Sequence, residues 1–241
     1  MKANFEKKYH EIETEHFWFK SRRRYIRDLL NSLPRDAKIL DIGCSSGILL
    51  NELLEDGFKK ENLYGIDVSE KAIANAKANG LVHVFVMDAE KIALEVEFDV
   101  VIASDCLEHL KNDVVALQNW YNLVSLRGQI MVFVPAFMSL WSPHDEVNLH
   151  YRRYTLSQLK SKMQEAGFRI SKASYWNFLL FTPVYLARKL RNLSNKKNTT
   201  GDLGGIPKAN GLLFKIINAE NKLLQRVSFP FGVSTFCIAR K

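Results

Sequence analysis

Between residues 37 and 176 short apolar runs alternate with helical patterns, and this alternation constrains the fold more than any other feature of the chain. Residues 37–42 (AKILDI) read as a strand, and 47–56 as a helix. Residues 62–67 (NLYGID) are a second strand, and 69–79 a second helix with Ser69 as N-cap and Gly80 as stop. Residues 82–87 and 98–103 give a third and a fourth strand. The fourth (FDVVIA) is nearly all apolar, as a strand covered on both faces must be. A helix over 114–126 leads to a fifth strand at 129–134. A helix over 155–166 with Gly167 as its stop leads to a sixth at 169–175, and 233–239 makes the last. Strands that alternate with helices predict an α/β fold: a doubly wound, mostly parallel, seven-stranded sheet with helices on both faces.

Two segments fall outside the alternation. Residues 1–36 read as an N-terminal helical cap on the core at 37–176. Residues 177–231 read as a helical insertion or lid before the last strand, 232–241. Within the insertion, 178–193 and 212–227 read as helices, and 194–208 (SNKKNTTGDLGGIPK) as a mobile polar loop. The whole is expected to be one domain. Three cysteines without a CxxC pair argue against a disulfide framework or a cysteine-bound zinc. The charged first residues lack an apolar core of the signal-peptide kind, so a cytoplasmic setting is expected. No run reaches the roughly 20 apolar residues a membrane span needs. The net charge of +8 suggests an acidic partner or an anionic membrane surface.

Ligands of such sheets bind beyond the carboxyl ends of the strands, and three acids fall there. The first strand runs through Asp41 into the small-residue turn Gly43-Cys44-Ser45-Ser46-Gly47, which opens a helix. Small residues admit a ligand close to the backbone, and a helix start offers N–H groups to a carboxylate. A P-loop would need a lysine after Gly47, and a dinucleotide fingerprint a different glycine spacing. Asp67, 20 residues past Gly47, ends the second strand and can accept both hydroxyls of a ribose. Asp88 ends the third strand, where it can accept from an adenine amino group.

This set resembles the class I S-adenosylmethionine-dependent methyltransferases, in their small-molecule, type 11-like branch. DIGCSSG is similar to their glycine-rich motif, with Ser45 in place of the middle glycine. The resemblance implies S-adenosylmethionine as methyl donor and S-adenosylhomocysteine as product. It implies that Asp41 belongs to the donor-binding set, that Gly43, Cys44 and Gly47 line the methionine end, that Asp67 holds the ribose with Val68 beside the adenine, that Asp88 and Ala89 flank the base, and that Ser104 faces the donor. The runs HFWFKSRRR and LWSPHDEVNLHYRRYTLSQL are similar to a bacterial and archaeal subgroup linked to cell-surface glycan or lipid metabolism, so a glycan or lipid-linked acceptor is expected.

Methyl transfer is a displacement in which the protein mainly positions donor and acceptor, with a general base where the acceptor carries a proton. His109 after the fourth strand, and His144, Asp145 and His150 after the fifth, are the candidates. Trp18 and Trp141 are candidates to contact the acceptor, and Arg152 and Arg153 to bind an acidic group on it. Asp105, Glu108 and His109 also match a divalent-cation spacing suited to Mg²⁺, but no metal is the main expectation. Residues 178–191 combine an apolar run with Arg188, Lys189 and Arg191, a pattern for peripheral membrane contact, and a homodimer is the other use of such a face. The alternatives are a catalytically silent binder of the same donor and a nucleic-acid methyltransferase. The second lacks an NPPY-type motif and an appended RNA module.

Overall fold

A computed structural model describes residues 12–193 and 206–241 of the 241-residue chain. The expectations for residues 1–11, and most of the mobile loop expected at 194–208, lie outside the described residues.

The elements are α1 (Phe17–Leu30), β1 (Ile39–Ile42), α2 (Ile48–Glu55), β2 (Leu63–Asp67), α3 (Glu70–Ala78), β3 (His83–Val86) and β4 (Phe98–Ser104). Then come α4 (Asp113–Leu123), β5 (Val124–Pro135), α5 (Pro143–Val147), α6 (Leu156–Glu165) and β6 (Arg169–Trp176). The last are α7 (Phe178–Leu193), α8 (Asn210–Leu224) and β7 (Ser234–Arg240). The strands form one seven-stranded sheet in the order β3-β2-β1-β4-β5-β7-β6. β1 pairs in parallel with β2 and β4, β2 with β3, and β4 with β5. This is the expected doubly wound, mostly parallel architecture.

The centre of the sheet is as apolar as its position demands. Ile39, Leu40 and Ile42 of β1, Val100 to Ala103 of β4 and Val132 to Val134 of β5 have no exposed surface. Truncating one of them, as in Leu40→Ala, costs about 2–5 kcal/mol. One boundary departs from the expectation. Val124, Ser125 and Leu126, expected in a helix, begin β5 instead. Val124 pairs with Phe98 across an irregularity in the β4–β5 register. Gly128 allows this crossing, because a Cβ there would lie 2.8 Å from the carbonyl oxygen of Phe98.

The chain clusters into two compact units. One comprises 32–134, 156–173 and 236–241 and contains most of the sheet. Of the described residues, the other gathers 12–31, 135–155, 174–193 and 206–235, so the described parts of the expected cap and insertion fall largely with the segment after β5. In this second unit α1 packs along α8. The Asn221 amide donates to the Ser21 carbonyl at 2.9 Å and accepts from Trp176 Nε1 at 2.7 Å. Trp18 meets Trp176 edge-on, and the Arg22 guanidinium lies 5.0 Å from the Trp176 ring. The Glu220 carboxylate on α8 accepts from the Phe178 and Leu179 N–H groups at 3.0 and 3.1 Å, capping the start of α7.

Candidate active site

The turn after β1 is built around left-handed backbone. Gly43, Ser45 and Gly47 have φ of 77°, 49° and 75°. A Cβ on Gly47 would lie 2.3 Å from Leu81 Cδ1 and 3.2 Å from Ala76 Cβ, and φ there is left-handed, so glycine is favoured where this turn opens α2. A Cβ on Gly43 would meet Cys106, which places the turn against the loop that follows β4. Ser45 adopts the left-handed conformation where the resembled motif has its middle glycine, at a cost of about 1–2 kcal/mol.

Asp67, at the carboxyl end of β2, is locked by main-chain donors. Ser45 N–H donates to Oδ2 at 3.0 Å and Ser69 N–H to Oδ1 at 2.9 Å. These two bonds from neighbouring turns orient the carboxylate at the tip of the strand. Ser69 also caps α3, accepting from the Ala72 N–H at 3.1 Å. The Met87 N–H donates to the Asp67 carbonyl at 2.9 Å, which brings the end of β3 beside that of β2. The exposed Asp88 accepts from the Glu90 N–H at 2.9 Å. Ala89 is buried, and its carbonyl accepts from Trp120 Nε1 at 2.9 Å. Val68 is 70% exposed at the same rim.

The strand tips are acidic. Asp41 is 5% exposed and pushed up to about 7, first by burial and then by Asp67. The Cys106 thiol is raised by burial and by Glu108, Asp67, Asp41 and Asp105. A chain of net charge +8 therefore concentrates negative charge at the carboxyl ends of β1, β2 and β4. Glycine-lined turn, oriented Asp67, exposed Val68 and acidic tips fit a cationic nucleoside: a diol for Asp67, an apolar contact for the base and a positive centre beside the acids. Ser104 ends β4, and Asp105, at φ 54°, turns the chain into a short 3-10 segment, Leu107–His109. Glu108 is buried there and His109 half-buried.

The second unit holds the other cluster. Asp145 has no exposed side-chain surface and accepts from five donors. Arg153 Nε and Nη2 reach it at 2.7 and 3.0 Å, and His150 Nδ1 lies 2.9 Å from Oδ1. The Ser142 N–H and hydroxyl complete the set as the capping box of α5. Burial pushes the Asp145 carboxyl up, but the His150 bond and the Arg153 charge outweigh it and hold the group well below the usual carboxylate range. Arg153 Nη1 donates to the Ala136 carbonyl, so this guanidinium, expected to meet an acidic substrate group, is engaged inside the unit. Asn148 Nδ2 lies 3.1 Å from His144 Nε2, and Arg152 lies 5.6 Å from the Tyr151 ring. Trp141 is half-buried after the 3-10 turn Met138–Leu140.

The sequence marked Asp41, Gly43, Gly47, Asp67 and Asp88. It did not mark the main-chain donors of Ser45 and Ser69, the bond from Trp120 to Ala89, or the pairing of Asp145 with Arg153. The spacing of eight between the last two belongs to no periodic pattern.

With this geometry in hand, residues 14–173 match the methyltransferase domain family, and the chain belongs to it. Among curated relatives, the ubiquinone biosynthesis O-methyltransferase of Pseudomonas aeruginosa is 33% identical over 102 residues, 39% of this chain. The match spans 43% of that relative's length. Among solved structures, a SAM-dependent methyltransferase from Archaeoglobus fulgidus superposes with a TM-score of 0.60 at 20% identity, covering 92% of this chain and 94% of that one. Phosphoethanolamine N-methyltransferase 2 of Haemonchus contortus, solved with S-adenosyl-L-methionine, gives 0.58 at 18% identity, covering 90% and 52%.

Proposed function

We propose that the protein moves a methyl group from S-adenosylmethionine to a hydroxyl of a small glycan- or lipid-linked acceptor. The observation that carries the reading is Asp67, held by the Ser45 and Ser69 N–H groups at the tip of β2 beside a glycine turn. The bound donor supplies a carbon activated by a positive sulfonium. The residues of the chain hold it: Asp67 by the ribose, Gly43 and Gly47 by close approach of the backbone, and Asp88, Ala89 and Val68 around the base.

His150 is our choice of general base for the acceptor proton, with Asp145 fixing its ring through Nδ1. It lies in the segment after β5, and ligands of open α/β sheets bind beyond strand carboxyl ends. His109, which follows β4, and His144, which shares α5 with Asp145, are the other candidates. Trp18, Trp141 and Arg152 are proposed to contact the acceptor. An oxygen acceptor is favoured by the name of the Pseudomonas relative. A nucleic-acid acceptor is disfavoured by the acids at the strand tips, which repel phosphate.

A lipid-linked acceptor is further supported by α7. Leu179, Pro183, Leu186 and Leu190 recur at helical spacing on one exposed face, the leucines 53%, 53% and 67% exposed, with exposed Lys189 beside them. We propose that this face rests on an anionic lipid surface. Among the described residues no helix is long and apolar enough to cross a membrane.

The test is titration calorimetry followed by transfer of labelled methyl to the organic-soluble fraction of a lysate. Micromolar donor binding, lost in Asp67→Ala, is expected, with label moving into an extractable product. Normal donor affinity in Asp67→Ala would refute the site. Label found only in nucleic acid would refute the acceptor class.

A further inference from the structure

Two buried asparagines adjoin Trp176 and differ in one respect. Asn221, 2% exposed, uses both ends of its amide, accepting from Trp176 Nε1 at 2.7 Å and donating to the Ser21 carbonyl at 2.9 Å. Asn177 directly follows Trp176 in the chain and has no exposed surface. Neither its Oδ1 nor its Nδ2 has a hydrogen-bond partner. Other buried polar groups of this region are bonded. Ser174 Oγ donates to the Tyr175 carbonyl and accepts from the Phe229 N–H, both at 2.8 Å. The Glu220 carboxylate is met by the N–H groups at the start of α7. A buried donor or acceptor left unmet costs about 1–3 kcal/mol, so an amide with both ends unmet calls for a reason.

Its place is one where ligands bind. Phe137, the second residue after β5, stacks on Tyr175 of β6 with ring centroids 4.9 Å apart. Asn177 therefore follows β6 at the same end of the sheet as the carboxyl end of β5, where ligands of open α/β sheets lie. Rings gather there. Phe181 meets Phe137 edge-on at 5.8 Å and lies 5.1 Å from Phe231. Phe137 and Phe181 are half-buried, so part of their surface stays open. Phe137 also holds φ 56°, a conformation that a bulky residue keeps only where its surroundings enforce it.

We propose that the Asn177 amide reads two neighbouring hydroxyls of a sugar ring in the acceptor, with the rings of Phe137 and Phe181 against the sugar's C–H face. This rests on methyl transfer to a glycan-linked acceptor. A planar amide presents an acceptor and a donor side by side. One hydroxyl donates to Oδ1 and its neighbour accepts from Nδ2. A fatty chain satisfies neither atom, and a fully ionised phosphate leaves Oδ1 without a donor. Aromatic surface with a few placed polar groups is the usual make-up of a small-molecule site. The amide is already out of water, so binding adds no dehydration cost on the protein's side. Because Asn177 has no exposed surface, the sugar enters as neighbouring rings give way.

The test follows labelled methyl from S-adenosylmethionine into the organic extract of a lysate, with and without prior treatment of the extract by periodate and then borohydride. Periodate cleaves the carbon–carbon bond of a sugar diol irreversibly. An aromatic diol is only oxidised to a quinone, which borohydride returns. Transfer to the treated extract is expected to be lost, and the labelled product of the untreated extract to release a monosaccharide on acid hydrolysis. Asn177→Gly removes the amide and accepts φ 60° freely. In this variant the half-saturating amount of extract is expected to rise about tenfold, with donor affinity and the rate at saturating extract unchanged. Transfer that survives the treatment, or a product without sugar, would overturn the proposal. So would a wild-type half-saturation in Asn177→Gly, and a denaturant midpoint lowered at the same time would assign the amide to enclosed water. Absence of label from the untreated extract is a different result and would remove the methyl-transfer reading itself. The periodate comparison needs only the wild-type chain, so it stands even if the variant does not fold.

Discussion

At the scale of single residues, two carboxylates are buried with opposite consequences. Asp41 keeps its proton up to about 7. Between about pH 4 and 7 the folded chain therefore holds a proton that the unfolded chain releases, and its stability falls as pH rises. Asp41→Asn in the ligand-free protein is expected to gain nothing near pH 4 and up to a few kcal/mol at pH 8, read from denaturant midpoints. Asp145 is the reverse case. Its charge is supported by Arg153 and His150, so its contribution is full above the unfolded carboxylate range and is lost only as pH falls well below it. Asp145→Asn leaves the Arg153 guanidinium buried without its counter-charge and is expected to cost about 3–5 kcal/mol. Ser45→Gly should act in the stabilising direction, by up to about 1 kcal/mol, because glycine takes φ 49° without a Cβ penalty. A melting curve that leaves Ser45→Gly unchanged or lower would show that the serine side chain compensates for its conformation.

At the scale of elements, α7 is the informative one. It carries Pro183 in its interior, which gives up a main-chain hydrogen bond, and its exposed face is apolar. Replacing Leu186 and Leu190 with glutamate is expected to abolish co-sedimentation with phosphatidylglycerol vesicles while leaving donor affinity intact. A concentration-dependent dimer that the same substitutions dissociate would assign the face to a second copy of the chain. How far such elements can be read in advance depends on what defines them. β1 and β4 were legible because near-complete burial leaves a run of apolar residues, and the ends of β1 and β2 are marked by the Gly43 turn and by Asp67. The start of β5 was not, because Val124 and Leu126 extend the apolar spacing of α4, and only pairing with Phe98 and the gap at Gly128 decide for a strand. The side chains at the strand tips, Asp67 and Asp88 among them, were legible as the ends of apolar runs. The orientation of Asp67 by main-chain N–H groups, and the closing of Arg153 on Asp145, arise from tertiary contacts that residue identity does not announce.

At the scale of the whole molecule, the excess positive charge and the acidic strand tips serve different purposes. The tips gather Asp41, Asp67, Asp105 and Glu108 around Cys106 and suit a cationic ligand, while the chain as a whole carries +8. Ligand binding should show in global stability: at donor concentrations about 100 times Kd, unfolding free energy is expected to rise by about 2.7 kcal/mol, measurable as a higher Tm. No shift with saturating donor would contradict binding to the native state. The strand order carries one more consequence. β7 lies between β5 and β6 although it follows both along the chain. Until residues 234–240 arrive, β5 and β6 have no bridge between them, and each keeps an open hydrogen-bonding edge. A refolding chain therefore passes through a stage with an unfilled slot in its sheet, and a strand from a neighbouring molecule can enter it. Refolding yield should consequently drop steeply with protein concentration, and a synthetic peptide of sequence 233–240 added in excess should trap the half-closed form.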